Sequence, residues 1–327
     1  MPAGPILVTG GLGFLGRHLS RRLASMGRSV RILARPRTAE NEDCPYELFW
    51  GDIRDPDAVD RAVRGTEVVI HLASNFRRRS TDEKEAFAIN VEGTRNMMGS
   101  CARHGVRQLI NCSTFGVHGD VLEIPANEDS PFNPLDRYQE TKLIAEQESL
   151  RAFRERGLPV TVVRPGSMYG PGDSRLLKLF RMIQKRCFVM IGDGETFYHP
   201  AYIDDVVDAF LLCLDNEKTF GETFIAAGSE YLPLNRLVAI IAEELKVPPP
   251  RLRLPMRPVL ALAGLCEKLC APLGMEPPID HRRVSFFTSN RAFSVEKARK
   301  LLGFQPQVGF RQGAGATIGW YRNQGWL

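Results

Sequence analysis

Two side chains of one predicted helix, Tyr138 and Lys142, have the types and the spacing needed for proton transfer. They stand four residues apart and therefore share one helical face. A nearby ammonium group favours the phenolate and lowers the pKa of a tyrosine, which would let Tyr138 act as a general acid or base near neutral pH. Because such pairs also occur by chance on helix surfaces, the elements around the pair decide its meaning.

Hydroxyl groups follow a short apolar segment upstream of this pair. Residues Gln108–Cys112 are predicted to form a buried strand, and Ser113 and Thr114 come directly after it, about 24 residues before Tyr138. A hydroxyl at the end of a strand could hydrogen-bond a substrate oxygen beside the tyrosine.

A glycine-rich turn near the N-terminus predicts a dinucleotide-binding unit. The strand-like segment Ile6–Val8 precedes a helical pattern of leucines that ends near Gly27, and Ser29–Ala34 is predicted to be the next buried strand. The turn itself contains glycines at intervals of three, namely Gly10, Gly13 and Gly16. In such a unit the free N–H groups at the helix start hold a pyrophosphate. The alternative is a glycine-rich turn without a ligand.

Predicted strands and helices alternate through the first half of the chain. The further strands are 47–50, 68–73, 108–112 and 160–164, and the helices are 57–63, 83–104 and 138–156. This alternation predicts an α/β fold, a Rossmann-type doubly wound parallel sheet with helices on both faces.

The second half has a different organisation. We expect residues 1–165 to form a dinucleotide-binding Rossmann domain that regains a segment near 199–228. Residues 166–198 and 229–327 are expected to form a smaller C-terminal substrate-binding lobe over the carboxyl ends of the strands, where ligands of such sheets bind.

Composition favours an ordinary globular protein. Of the 327 residues, 43% are hydrophobic and 25% are charged, and the net charge is +5. The positive charge is scattered, apart from Arg77–Arg79, and no nucleic-acid-binding motif accompanies it. The seven cysteines have no metal-ligand spacing, so we expect no metal site. Together with the lack of a signal-peptide pattern, the cysteines indicate a reducing, cytoplasmic environment.

Motifs along most of the chain resemble the extended short-chain dehydrogenase/reductase family, also called the NAD-dependent epimerase/dehydratase family. The similar segments are Thr9–Gly16 (TGxxGxxG), Asp52-Ile53, His71–Ala73, Asn90–Thr94 (NVxGT), Arg164–Gly172 (RPxxxYGPG), Tyr202–Val206 (YVDDV) and Lys297–Pro306. The resemblance implies that the catalytic hydroxyl is Thr114 rather than Ser113, and that it acts together with Tyr138 and Lys142.

The resemblance also implies a set of cofactor contacts. They are Gly10, Gly13, Phe14, Leu15, Gly16, Arg35, Asp52, Ile53, Leu72, Ala73, Asn90, Lys142 and Pro165. Users of NAD in this fold often have a carboxylate at the end of the second strand, but this chain has Ala34 followed by Arg35. An arginine there can pair with a 2′-phosphate, so NADP(H) is favoured and NAD(H) stays open.

The substrate is less well defined by the sequence. Nucleotide-sugar members of the family usually have an arginine where this chain has Tyr198, which favours a dehydrogenase or reductase of secondary alcohols and ketones. The alternatives are a nucleotide-sugar epimerase or dehydratase that retains NAD, and a non-catalytic dinucleotide sensor. The candidate substrate contacts are Ser74, Phe115, Ser167, Tyr198 and Arg283, of which Arg283 could meet a phosphate.

An apolar segment at 258–273 follows three arginines and resembles the hydroxysteroid-dehydrogenase-like branch of the family. It could pack on the core or a partner, cover an apolar substrate, or contact a membrane surface. From the family resemblance we expect a small-molecule substrate and a homodimer.

Overall fold

The computed structural model describes residues 4–36, 45–76, 83–270 and 277–327, together with Pro272 and Met275. Arg37 and the Arg77–Arg79 cluster lie outside the described residues. A parallel sheet of seven strands forms the centre of the molecule, in the order β11-β6-β5-β4-β1-β2-β3. Its strands are β1 (Ile6–Thr9), β2 (Val30–Ala34), β3 (Glu47–Trp50), β4 (Val68–His71), β5 (Gln108–Cys112), β6 (Val160–Pro165) and β11 (Thr223–Ala226). The predicted doubly wound sheet is therefore confirmed.

The helices of the described part of the chain cover both faces of this sheet or, like the pair at 256–270 and 281–288, pack on one another in a separate cluster. They are α1 (Phe14–Ser25), α2 (Pro56–Val63), α3 (Glu83–Phe87), α4 (Gly93–Arg103), α5 (Arg137–Arg156), α6 (Leu177–Gln184), α7 (Ile203–Cys213), α8 (Leu234–Leu245), α9 (Met256–Cys270), α10 (His281–Thr288), α11 (Glu296–Leu302) and α12 (Phe310–Asn323). A π-helix covers Ala88–Glu92, and 3₁₀ turns cover Phe115–His118 and Glu217–Thr219.

The alternation of side chains in β1 shows why both faces must be covered. Ile6 and Val8 pack in the core that contains the leucines of α1, whereas Leu7 packs in a second core with α2, α4 and α5. All three side chains are fully buried. A strand with apolar residues on both sides is stable only in the middle of such a three-layer arrangement.

Short strand pairs lie in the second half of the chain. They join β7 (Ser167–Tyr169) to β10 (Pro200–Tyr202), β9 (Phe197–Tyr198) to β12 (Leu232–Pro233), and β8 (Met190–Ile191) to β13 (Arg253–Leu254). Strand β11 lies within the segment expected to return to the sheet. The division of the chain into a cofactor domain and a substrate lobe stays a prediction.

The predicted helix over 83–104 differs from the structure in one respect. It is divided into α3, the π-helix and α4, although the three follow one another without a break. A π-turn accommodates one additional residue in a helical path, so the side chains after it change direction. Apolar periodicity cannot reveal such an insertion, because both halves keep a buried face.

A buried ion pair fixes α5 against the sheet. The Arg164 guanidinium in β6 lies 2.5 Å from a Glu146 carboxylate oxygen in α5, and both side chains are at most 3% exposed. Arg164 also donates to the Glu128 carbonyl oxygen at 2.9 Å and contacts His118 Nε2 at 2.9 Å. Because every polar side of the guanidinium has a partner, the pair can be held in the dry interior.

Candidate active site

The loops after β1, β4 and β5 meet at the edge of the sheet where the carboxyl ends of the strands lie. They are the glycine turn, the segment Leu72–Phe76 and the segment Ser113–His118. In doubly wound sheets this edge is the ligand-binding side. Helix α5 brings Tyr138 and Lys142 to the same region, because its first turns contact the 3₁₀ turn after β5.

The glycine turn has the geometry of a pyrophosphate cradle. Gly10 has φ +68°, and a Cβ there would approach the Ala73 backbone nitrogen at 3.0 Å. A Cβ on Gly16 would collide with the Gly10 carbonyl oxygen. Helix α1 starts after Gly13 without a side-chain cap or an acidic residue in its first turn. The N–H groups of its first residues, Phe14 and Leu15 among them, thus remain available to an anion.

Asp52 and Ile53 follow β3, at the far end of the candidate cofactor crevice from the glycine turn. Hydrogen bonds from Arg54 are the main reason why the pKa of Asp52 lies below its usual value, and the charge of Arg35 lowers it further. Ile53 packs beneath α4, where a Cβ on Gly93 would meet it. Exposed Arg35 follows the partly buried Ala34 at the end of β2. Three predicted cofactor residues, Arg35, Asp52 and Ile53, are therefore close to one another.

Other predicted cofactor residues also line this edge. The Leu72 backbone nitrogen donates to the Thr9 carbonyl oxygen at 3.2 Å, which extends the pairing of β1 and β4 by one residue. Pro165 is the last residue of β6 and pairs with Ala226 of β11.

A chain of hydrogen bonds links the glycine turn to the π-helix. The Thr94 hydroxyl donates to the Asn90 carbonyl oxygen at 2.7 Å, so at 3.2 Å its oxygen accepts from His71 Nε2. His71 Nδ1 then accepts from the Thr9 hydroxyl at 2.8 Å, whose oxygen accepts from Ala73 N. Burial, then the charge of Lys142, lowers the pKa of His71 to about 3. The imidazole is thus neutral, as this pattern requires.

The Asn90 side chain lies at the centre of the π-helix and is fully buried. Its amide oxygen accepts from the Asn75 backbone N–H at 2.8 Å, and its amide nitrogen donates to Thr141 Oγ1 at 2.9 Å. One side chain therefore ties the loop after β4 to α5, the helix that contains Tyr138 and Lys142. The resemblance suggests Asn90 as a cofactor contact; the structure gives its amide these two protein partners and thus a positioning role.

Tyr138 is half-buried beside the loop after β4. Its side chain is hydrogen-bonded to Ser74, and its ring meets Phe76 edge-on with centroids 5.0 Å apart. Lys142, one turn further along α5, is only 2% exposed. Thr114 is partly exposed, and its Oγ1 accepts from Gly116 N at 3.1 Å, which leaves the hydroxyl proton free to be donated.

The neighbouring Ser113 differs from Thr114. Its hydroxyl is buried and has no hydrogen-bond partner among the described residues. The partly exposed Thr114 is therefore the better placed of the two hydroxyls to meet a substrate, in agreement with the resemblance.

The protonation states differ from the sequence-based expectation. Burial raises the pKa of Tyr138 well above its usual value, and this effect outweighs the lowering by Arg175 and by the Ser74 hydrogen bond. Burial likewise lowers the pKa of Lys142. The expected lowering of the tyrosine pKa by Lys142 is not the dominant effect in this structure. At neutral pH Tyr138 is a neutral phenol, the form that can donate a proton to a carbonyl oxygen.

Tyr198 and Ser167 are hydrogen-bonded to each other, and Arg291 and Arg175 lie close enough to affect the tyrosine electrostatically. Arg291 Nη2 approaches the carbonyl oxygen and the hydroxyl of Ser285 at 3.3 and 3.4 Å. No carboxylate among the described residues forms an ion pair with it. Burial lowers the pKa of Arg291, and this effect outweighs the raising by Tyr198, Asp120 and Asp136. Arg291 cannot be identified from the sequence, because no local pattern distinguishes it from the many surface arginines.

Two of the predicted substrate residues, Phe115 and Arg283, contact other parts of the protein. Phe115 is 5% exposed and packs against Phe293, with ring centroids 4.6 Å apart, in a small buried cluster. Arg283 is exposed, and its guanidinium donates to the carbonyl oxygens of Pro277 and Pro278 at 2.8 and 2.6 Å. Phe115 thus packs in the interior, and the substrate contacts expected of Phe115 and Arg283 both stay predictions. Within the described ranges, no group of three or more His, Cys, Asp or Glu residues is arranged to hold a metal ion.

Comparison with known proteins agrees with this geometry. Residues 6–227 match the profile of the NAD dependent epimerase/dehydratase family. The chain belongs to this family. It is 31% identical to a protein of Schizosaccharomyces pombe, sterol-4-alpha-carboxylate 3-dehydrogenase erg26, decarboxylating, over 98% of both chains. This family member is therefore an enzyme with a nicotinamide cofactor.

Two solved structures show the same architecture. The crystal structure of gox2253 is 30% identical, with a TM-score of 0.84 over 99% of both chains. MoeE5 in complex with UDP-glucuronic acid and NAD is 25% identical, with a TM-score of 0.79 over 98% of this chain and 100% of the other. The similarity therefore extends over nearly the whole length of this chain and of both solved structures.

Removal of the Tyr138 hydroxyl tests the acid/base assignment. We expect Tyr138→Phe to lower turnover of any substrate that the wild type converts by at least about 10²-fold, because the proton donor is lost. The dissociation constant of the dinucleotide, measured by titration calorimetry, should change little. Tyr46→Phe is the control, since Tyr46 precedes β3, the outermost strand on the side of the sheet away from β5 and β6. Hydride transfer at the wild-type rate in Tyr138→Phe would contradict the assignment.

Proposed function

We propose that the chain is an NAD(P)-dependent dehydrogenase or reductase that interconverts a secondary alcohol and its ketone in an apolar substrate bearing a carboxylate. The observation that carries this proposal is the position of Tyr138, a neutral phenol that is hydrogen-bonded to Ser74 and flanked by Phe76. Thr114 and buried Lys142 complete the set of polar groups at this edge of the sheet.

Each of these residues has a separate role in the proposed reaction. The Thr114 hydroxyl donates to the substrate oxygen and holds the reacting carbon in position. Tyr138 donates its proton to that oxygen during reduction, or accepts one during oxidation. Lys142 holds the ribose next to the nicotinamide, and its positive charge favours the phenolate whenever it forms. The nicotinamide, held by the glycine turn, supplies or accepts the hydride.

An apolar substrate is supported by the residues near Tyr138. Phe76 packs on its ring and is 42% exposed, so it presents an aromatic face beside the proton donor. Tyr198, which occupies the position of the sugar-nucleotide arginine, is buried and bonded to Ser167. The Schizosaccharomyces pombe relative is named for a sterol carboxylate, which is apolar and carries one carboxylate.

The carboxylate is supported by Arg291. A desolvated guanidinium without an ion-pair partner is costly, and an incoming carboxylate would remove that cost with charge-assisted hydrogen bonds. Since Arg291 faces Tyr198, such a carboxylate would be held on the substrate side of the crevice. Its pairing with Arg291 would select substrates by charge as well as by shape.

Comparison of two ketones tests this function. We expect NADPH-dependent reduction of a 3-oxo steroid that carries a carboxylate on a carbon not adjacent to the carbonyl, where it cannot be lost as CO2, to exceed that of the same steroid without the carboxylate. Arg291→Met should lower kcat/KM for the carboxylate by about ten- to a hundred-fold and leave the neutral ketone nearly unchanged. Arg322→Met, at an exposed position of α12, is the matched control. Equal losses on both ketones would contradict a carboxylate contact, and no reduction of either would contradict the function.

The cofactor is proposed to be NADP(H). Arg35 is exposed at the end of β2, next to Ala34 and close enough to influence Asp52. A 2′-phosphate there would meet a guanidinium and no opposing carboxylate at position 34. The family name and the NAD-bound neighbour support a nicotinamide cofactor without choosing between the two forms.

A charge reversal tests the cofactor preference. We expect the wild type to bind NADPH about ten- to a hundred-fold more tightly than NADH, because a charge-assisted bond to phosphate contributes roughly 1.5–3 kcal/mol. The double variant Ala34→Asp with Arg35→Ala should reverse that preference in calorimetric titrations. Arg322→Ala should leave both dissociation constants unchanged. A wild-type preference for NADH would overturn the proposal.

Nucleotide-sugar epimerisation is the second candidate. It is favoured by the whole-length similarity to MoeE5, which binds UDP-glucuronic acid and NAD, and by Arg291, whose charge could equally pair with a diphosphate. An epimerase returns the hydride to the substrate, so it would retain its dinucleotide and show no net change in nicotinamide absorbance. A rise in melting temperature with UDP, without ketone reduction, would favour this candidate.

A further inference from the structure

Helix α9 exposes an unusual stripe of apolar side chains. Leu262, Leu265 and Leu269 are 51%, 53% and 62% exposed. Pro258 and Ala261 are exposed on the same side, so the stripe continues at helical spacing over most of the helix. We call this stripe, formed by Pro258, Ala261, Leu262, Leu265 and Leu269, the leucine face. It goes beyond scattered single apolar residues, which are normal on protein surfaces.

The opposite side of α9 already satisfies the packing needs of the helix. Val259 and Ala263 are buried against Val284 of α10 in a small apolar cluster. The leucine face is therefore a second apolar side. Its exposure leaves it available to another surface.

Basic residues lie next to the leucine face along the chain: Arg257 and Lys268 are in α9 itself, and Arg251 and Arg253 come shortly before it. Arg251, Arg253, Arg257 and Lys268 are all exposed. Arg253 donates to two neutral acceptors, the Asp193 carbonyl oxygen at 2.6 Å and Asn235 Oδ1 at 3.0 Å, so its charge is not neutralised.

The one carboxylate of this region is already engaged. Glu267 is the sole acidic residue between positions 251 and 270. Its carboxylate accepts from the backbone N–H and from Nδ1 of His281, both at 2.8 Å. The border of the leucine face is therefore strongly positive.

We propose that the leucine face and its basic border dock on the surface of an anionic lipid bilayer. An apolar stripe with lysine and arginine along its edges is the pattern of a helix that lies in the plane of a membrane interface. With 15 residues, α9 is about 22 Å long, too short to cross a hydrocarbon core of about 30 Å. None of the described helices is long and apolar enough to span a membrane.

Charge complementarity favours lipid over a second copy of this chain. In a symmetric dimer the same surface meets itself, so the basic borders of two leucine faces would lie against each other. An anionic bilayer offers the opposite charge together with an apolar interior. The homodimer expected from the family resemblance would then use a different surface.

The position of α9 gives such docking a role. Helix α9 packs on α10, and Phe286 of α10 meets the ring of Tyr198 with centroids 5.4 Å apart. The docked helix thus lies one layer away from the substrate side of the crevice. An enzyme held there could take an apolar substrate directly from the bilayer.

Flotation with lipid vesicles tests the proposal. The full-length protein is mixed with vesicles of phosphatidylcholine alone or of phosphatidylcholine with phosphatidylglycerol. We expect binding to the anionic vesicles that weakens with added salt. Leu262→Gln with Leu265→Gln should lower the affinity at least about ten-fold. Leu212→Gln with Leu301→Gln, at exposed leucines of α7 and α11, should bind like the wild type.

A charge variant separates the two components of binding. Arg251→Gln with Arg257→Gln should weaken binding to anionic vesicles by roughly five-fold per residue and reduce its salt dependence. Circular dichroism and thermal melts verify that each variant is folded. Activity on a water-soluble ketone should stay at the wild-type level, so a failure of the proposed enzymatic function would be seen separately.

Two results would overturn the proposal. One is a wild-type protein that does not bind anionic vesicles. The other is an unchanged vesicle affinity in the leucine variant. If that variant also changes from dimer to monomer in sedimentation velocity, the leucine face is the contact with a second copy of this chain.

Discussion

The amide of Asn90 is the constraint on which the arrangement of the active site depends. Its oxygen holds the loop after β4 through Asn75, and its nitrogen holds α5 through Thr141. The π-helix directs this side chain inward by adding one residue to the helical path. The loop after β4 and Tyr138, three residues before Thr141, are thereby held in one register.

The glycine turn is connected to the same point. Thr9, His71 and Thr94 form an ordered series of hydrogen bonds that ends at the Asn90 carbonyl oxygen. The series needs a neutral imidazole, and burial supplies it by lowering the pKa of His71. Buried polar networks rigidify a structure only when each member is satisfied, as each is here. The glycine turn, the loop after β4 and α5 are therefore joined by one continuous network of hydrogen bonds.

Much of this arrangement can be predicted from the sequence, because it follows from local patterns. The alternation of apolar strands with amphipathic helices predicts the parallel sheet, and the glycine spacing predicts the turn before α1. The i,i+4 spacing of Tyr138 and Lys142 predicts that they share a face of α5. The π-turn at Asn90 was missed because apolar periodicity continues on both sides of it.

Two features depend on tertiary structure and could not be predicted. The pKa of Tyr138 is set mainly by burial, which depends on how α5 lies against the loop after β4. Arg291 becomes distinctive only when folding buries much of it without an ion pair to a carboxylate of the described residues, although the charges of Asp120 and Asp136 act to raise its pKa. The packing of Phe115 likewise depends on tertiary structure, since its ring completes a buried cluster formed by distant parts of the chain.

The central claim is that Asn90 positions the catalytic helix for hydride transfer, and single-turnover kinetics of Asn90→Ala, Thr141→Val and the double variant test it most directly. The account predicts that each single change slows hydride transfer about ten-fold or more, through misplacement of Tyr138. The double variant should be little slower than Asn90→Ala alone, because that change already removes the bond between Asn90 and Thr141. The dinucleotide dissociation constant should stay within about three-fold of the wild-type value, since the amide bonds protein groups. Wild-type hydride transfer in folded Asn90→Ala, or a loss confined to dinucleotide affinity, would contradict the account.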